Sequence, residues 1–100
     1  MSLRFPFEAR VFLEWRNEET KINIVSHLTT GDVLEQICQE NSQDPIQFSI
    51  KCLTETGKVM NLGLEMTFSE VAREYGKHST TKLLIKKGNN FDFIFLKSIF

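Results

Sequence analysis

Ala9, Val11, Leu13 and Trp15 alternate with Glu8, Arg10, Phe12 and Glu14, and no other stretch of the chain restricts its fold as sharply. A period of two sends successive side chains to opposite faces of a strand, so this run turns one face to a core and the other to water. Arg16-Asn17-Glu18-Glu19 interrupts it with polar residues, and from Thr20 to Val25 the alternation resumes with Ile22 and Ile24 inward and Lys21 and Asn23 outward. Two such runs around a short polar break predict an antiparallel hairpin with a four-residue loop.

The period then changes. Thr29 precedes a first turn containing Asp32, an N-cap followed by an acid at the positive end of a helix dipole. Val33, Leu34, Ile37 and Cys38 make one stripe of a 3.6-residue repeat, with Glu35, Gln36, Gln39 and Glu40 facing water and Asn41 marking the stop. Ile46, Phe48, Ile50 and Cys52 alternate again, against Gln47, Ser49 and Lys51, which predicts a third strand closed by the turn Thr54-Glu55-Thr56-Gly57. Val59 to Leu64 gives a short fourth strand that Gly63 weakens, as suits a sheet edge. Thr67-Phe68-Ser69-Glu70 reads as a capping box, opening a short helix whose apolar members are Phe68, Val71, Ala72 and Tyr75 and which Gly76 closes. In the fifth strand, Lys82 to Lys87, Leu83 and Ile85 share one face and Lys82, Leu84 and Lys86 the other. After Gly88-Asn89-Asn90, the segment Phe91 to Phe100 holds Phe91, Phe93, Phe95 and Phe100, four of the nine phenylalanines, which predicts a sixth strand or a surface that meets a neighbouring lobe or a second copy.

Composition limits the chemistry. With 100 residues, 41% hydrophobic and 25% charged, residues 1–100 fit one domain with its core in 7–87 and an apolar extension in 91–100. The net charge of −1 divides into four basic and eight acidic residues in positions 1–50, and eight basic and five acidic in 51–100. Such a balance exerts no general pull on nucleic acid or anionic membranes. Arg73, Lys77, His78, Lys82, Lys86 and Lys87 around Tyr75 are too sparse for a nucleic-acid groove. No signal-peptide stretch is present, and the longest apolar run, Phe93 to Leu96, is far short of a membrane span. Cys38 and Cys52, each in an apolar pattern, read as core thiols of a reducing, cytoplasmic compartment. His27 and His78 lie in separate segments as solvent-facing residues without metal-ligand spacing, and the inward Cys38 cannot act as a nucleophile with His27. No metal, cofactor or catalytic activity is expected.

The order of elements over residues 7 to 87 resembles the ββαββαβ order of the ubiquitin-like β-grasp fold, an α+β architecture. It looks most like the first, ubiquitin-like lobe of FERM domains of the focal adhesion kinase type, through Thr29-Thr30-Gly31-Asp32-Val33 with Ile37, and through Val59, Leu62, Met66 and Ser69-Glu70-Val71-Ala72-Arg73-Glu74-Tyr75. The resemblance implies a mixed sheet ordered second, first, fifth, third, fourth strand, with helices on one face and the other face open. On that open face Arg10, Phe12, Lys51, Lys82, Leu84 and Lys86 come side by side, Phe12 and Leu84 as apolar anchors within a cationic rim. The implied function is a non-catalytic protein–protein interaction module, a signalling adaptor within a larger cytoplasmic protein, with a neighbouring domain or signalling protein as partner. Three other readings stay open. A Ras-association type domain would bind a small GTPase along its second-strand edge, here Arg16, Lys21, Asn23 and Val25 with His27, against the nearby Glu14, Glu18 and Glu19. A ubiquitin-like modifier would carry a terminal Gly-Gly, where this sequence ends Lys97-Ser98-Ile99-Phe100. The third is the scaffold part of an enzyme. The apolar segment also offers a homodimer contact.

Overall fold

A computed structural model describes residues 7–25 and 27–88. Five strands, β1 (Phe7–Leu13), β2 (Glu18–Ile24), β3 (Phe48–Leu53), β4 (Val59–Asn61) and β5 (Lys82–Lys87), form one mixed sheet in the order β2-β1-β5-β3-β4. Three helices, α1 (Thr30–Glu40), α2 (Phe68–Tyr75) and α3 (His78–Thr81), complete the α+β domain. β1 runs antiparallel to β2 and parallel to β5, whose other neighbour, β3, is antiparallel. This is the strand order the sequence reading expected.

The core lies on one side of the sheet. Ala9, Val11 and Leu13 of β1, Ile22 and Ile24 of β2, Phe48, Ile50 and Cys52 of β3, and Leu83 and Ile85 of β5 all have one parity and are buried. Val33, Leu34, Ile37 and Cys38 of α1 and Phe68 and Val71 of α2 pack into the same cluster. At its margin the Phe7 ring meets Phe68 edge-on with centroids 6.3 Å apart. Fully burying each such side chain stabilises the fold by about 1.5–3 kcal/mol relative to leaving it in water.

Several boundaries differ from the expected ones, each for a local physical reason. The hairpin loop is tighter than four residues of irregular chain: Glu14–Arg16 form a 3-10 turn, Asn17 closes it at φ 51, and Glu18 and Glu19 already belong to β2. Trp15 therefore leaves the strand, and its ring packs on Phe48 with centroids 4.5 Å apart. Asn accepts the left-handed conformation more readily than other non-glycine residues. Ile46 sits in a second 3-10 turn, Pro45–Gln47, where the Asp44 carboxylate accepts from its amide at 3.1 Å, so β3 starts two residues later than expected.

The fourth strand ends at Asn61 because the next residues serve α1 instead of the sheet. Thr30 and Gly31 donate their backbone N–H groups to the carbonyls of Met66 and Leu64, each at 2.9 Å. The Thr30 hydroxyl donates to the Gly63 carbonyl at 2.6 Å. Asp32 N–H donates to Thr29 Oγ1 at 3.1 Å while the Asp32 carboxylate accepts from Thr29 N–H at 3.0 Å, a reciprocal capping box. Together these bonds satisfy the orphan donors of the first helical turn. The box expected at Thr67 forms by half: Thr67 Oγ1 accepts from Glu70 N–H at 3.3 Å, and the Glu70 carboxylate accepts from the Thr67 hydroxyl instead of its amide.

α3 was not among the elements expected from the sequence. Its Ser79 and Thr80 are buried, and their hydroxyls donate to the carbonyls of Tyr75 at 2.9 Å and Lys77 at 2.6 Å. His78, expected in solvent, is half-buried, whereas His27 is exposed. Phe91 to Phe100, expected as a strand or interface, lies outside the described residues.

Candidate functional site

The face opposite the core is built by register. Parallel pairing sets Arg10 beside Lys82 and Phe12 beside Leu84, and antiparallel pairing sets Lys51 beside Leu84 and Ser49 beside Lys86. All six side chains expected on the open face therefore share it. Arg10, Lys82 and Lys86 are exposed, Lys51 and Leu84 half-buried, and Phe12 is 37% exposed.

Two further members escaped the sequence reading. Leu53 ends β3 on this face, and the β3–β4 register brings Val59 opposite it, 52% exposed. Ending the third strand at Cys52 hid Leu53, although it continues the Ser49-Lys51 alternation. Arg10, Phe12, Leu53, Val59, Lys82 and Leu84 line one depression of about 320 Å³. Among the described residues, Phe12 and Val59 are the large apolar side chains most open to water, and both line it.

The rim charges are not equivalent. Arg10 Nε lies 3.7 Å from Glu19, which the lengthened β2 brings onto this face beside Phe12. Lys51 Nζ donates to Asn61 Oδ1 at 2.5 Å. Among the described residues the ammonium groups of Lys82 and Lys86 have no carboxylate within ion-pair distance, so they are the face's available cations.

The alternative edge is less coherent. Arg16 sits in the hairpin turn, where one guanidinium nitrogen donates to Asn41 Oδ1 at 2.6 Å and another lies 3.3 Å from Glu18. Lys21 Nζ is 3.9 Å from Glu8. Asn23 is exposed and Val25 half-buried farther along. A second depression of about 260 Å³ lies between β2 and α1, and Glu40 and Lys21 are both in its lining. The edge thus holds Lys21, Asn23 and Val25 along one line, leaves Arg16 at its far end, and balances its cations with acids.

Both cysteines are buried, as the apolar patterns required. Burial, aided by the negative charge of Asp44, pushes the Cys38 thiol up to about 11. Burial also raises Cys52, partly offset by hydrogen bonds from Ser79 and the backbone. Neither is a thiolate near neutral pH, and the thiolate is the reactive form. Among the described residues no three His, Cys, Asp or Glu side chains converge in a metal-ligating group, and no helix is long and apolar enough to cross a membrane.

Fold and face together define a small α+β domain with one side of its sheet covered by helices and the other presenting an apolar depression framed by cations. No family profile and no curated protein matches the sequence. Solved structures do match the fold. The C-domain of the Hsp90 co-chaperone Cns1 from Saccharomyces cerevisiae superimposes with a TM-score of 0.67 at 11% identity, over 92% of this chain and 64% of that one. The FERM domain of Drosophila Merlin, solved as a complex with the C-terminal domain, gives a TM-score of 0.58 at 11% identity, over 79% of this chain and 27% of that one. The chain spans less than two-thirds of either structure, and at this identity the likeness is one of fold alone.

Proposed function

We propose that this chain is a non-catalytic module of the ubiquitin-like β-grasp type that binds a protein partner through the sheet face opposite its helices. One observation carries the reading: among the described residues the two most exposed large apolar side chains, Phe12 and Val59, border a single depression. Scattered apolar residues are normal on any surface, but a contiguous patch with a charged rim is the anatomy of an interface. The likeness in fold to a FERM domain and to a co-chaperone domain is compatible with a protein-interaction module. Two reduced core thiols suit a cytoplasmic setting.

The face is small, so the contact belongs with transient interfaces, and its apolar anchors supply on the order of 1–2 kcal/mol each when truncated to a polar residue. The test is capture of binding proteins from cell extract by the wild-type chain and by Phe12→Ser/Val59→Ser, with both melting temperatures measured. A protein held by the wild type and lost by a double variant that melts within roughly 5 °C of it supports the reading. Equal capture by both chains removes it.

A further inference from the structure

The chemistry of the partner can be taken one step further, on the reading that this face is the binding site. Val59, Leu53, Leu84 and Phe12 occupy four successive strands, β4, β3, β5 and β1. Three inter-strand steps of about 4.8 Å and one shift of two residues along a strand, about 6.7 Å, make an apolar line roughly 16 Å long. Lys51 and Lys86 stand on one side of it, Arg10 and Lys82 on the other.

A sheet face offers side chains and no free backbone groups. An extended segment laid on it would leave its own N–H and C=O groups without partners, whereas a helix satisfies them internally. A helical ridge at i, i+4, i+7 and i+11 spans about 16 Å at 1.5 Å per residue, the length of the apolar line. A second copy docking face to face would bring cations onto cations, since isologous contacts repeat the same patch. Carboxylates on both flanks of the ridge are what Lys86 on one side and Lys82 on the other can pair with, Arg10 being offset by Glu19 and Lys51 held by Asn61.

We propose that the occupant is an acidic amphipathic helix of about three turns lying across β4, β3, β5 and β1, with its apolar ridge on Val59, Leu53, Leu84 and Phe12.

Three synthetic 14-residue peptides test this on the full chain: one with Leu at the ridge positions flanked by Glu, one with Lys in place of Glu, and one with the Glu composition scrambled. Fluorescence anisotropy reads affinity, and 15N–1H spectra read location. The expected result is binding of the first peptide alone, with shifts confined to β1, β3, β4 and β5. The affinity falls about tenfold between 0.05 and 0.5 M NaCl and about tenfold again in Lys82→Glu/Lys86→Glu, while Arg73→Glu on α2 leaves it unchanged. Equal binding of the scrambled peptide, shifts on β2 and α1, or an equal loss in Arg73→Glu overturns the proposal. So does failure of the first peptide to bind, and contacts from the Phe12 ring or Leu84 methyls to residues 89–100 in 13C-edited nuclear Overhauser spectra would then identify the chain's own segment as the occupant. If all peptides fail while Phe12→Ser/Val59→Ser still releases the partner found by capture, the acidic helix falls and the binding face stands; if that variant releases nothing, the face itself falls.

Discussion

At Cys38 burial builds a pH dependence into the fold. Its ordinary value of 9.0 rises to about 11, first through burial and then through the charge of Asp44, and the side chain is 0% exposed. A folded-state value above the unfolded one means that the native protein holds its proton more tightly. The associated stability is complete below pH 9 and is lost as pH climbs toward about 11. Two units correspond to roughly 2–3 kcal/mol, read as a urea midpoint that falls between pH 8.5 and 10.5 in the wild type and falls less in Cys38→Ala. Equal slopes in the two proteins would show that other groups govern the alkaline limb. A second residue is fixed by space: a Cβ on Gly31 would lie 2.9 Å from the Leu64 carbonyl oxygen, the same oxygen that accepts the Gly31 N–H bond. That backbone atom cannot yield without breaking the anchor of α1. Gly31→Ala is therefore expected to lose about 1–3 kcal/mol in urea unfolding, although alanine is the better helix former by about 1 kcal/mol.

At the scale of elements, stability is set by the ends. The reciprocal box between Thr29 and Asp32 closes α1, and Thr29→Ala removes one acceptor while leaving the Asp32 carboxylate in place, an expected loss of about 1 kcal/mol. Asp32→Ala should cost a similar amount, and the double variant less than the sum, because the two bonds hold one turn; strict additivity in urea midpoints would argue that they act independently. These caps were legible in the sequence because their partners lie three residues apart. The same locality explains what was illegible. Ser79 and Thr80 look like loop residues, and their burial in α3 depends on hydroxyls returning to their own turn. Glu18 and Glu19 look like a loop because both strand positions face water on an edge strand. The six side chains of the open face followed from alternation and strand order, whereas Val59 joined them through its hairpin register with Leu53, which stayed hidden while the third strand was ended at Cys52.

At the scale of the molecule, everything converges on β5. It is the central strand, joining the β1–β2 hairpin to the β3–β4 pair, and it reaches β1 by a parallel pairing between Arg10 and Lys82 at opposite ends of the sequence. Its inward residues, Leu83 and Ile85, are in the core, and its outward residues, Lys82, Leu84 and Lys86, form the middle of the open face. Core and face are therefore two sides of one strand, and the face exists only while β5 is docked. Without β5 the sheet divides into two hairpins that share no hydrogen bonds, and an isolated two-stranded hairpin is marginal in water. Losing two buried aliphatic side chains, at about 2–5 kcal/mol each, together with both flanking ladders, is comparable with the whole 5–15 kcal/mol that stabilises a domain of this size. A chain ending at Thr81 is thus expected to show no cooperative urea transition and a collapsed near-ultraviolet circular dichroism signal, not a folded half. Retention of a sharp transition would mean that helices and hairpins fold without their central strand. By contrast, Lys82→Glu/Lys86→Glu, which touches only the outward side, is expected to unfold within roughly 0.5 kcal/mol of the wild type, so that the two experiments separate the strand's work in the core from its work on the surface.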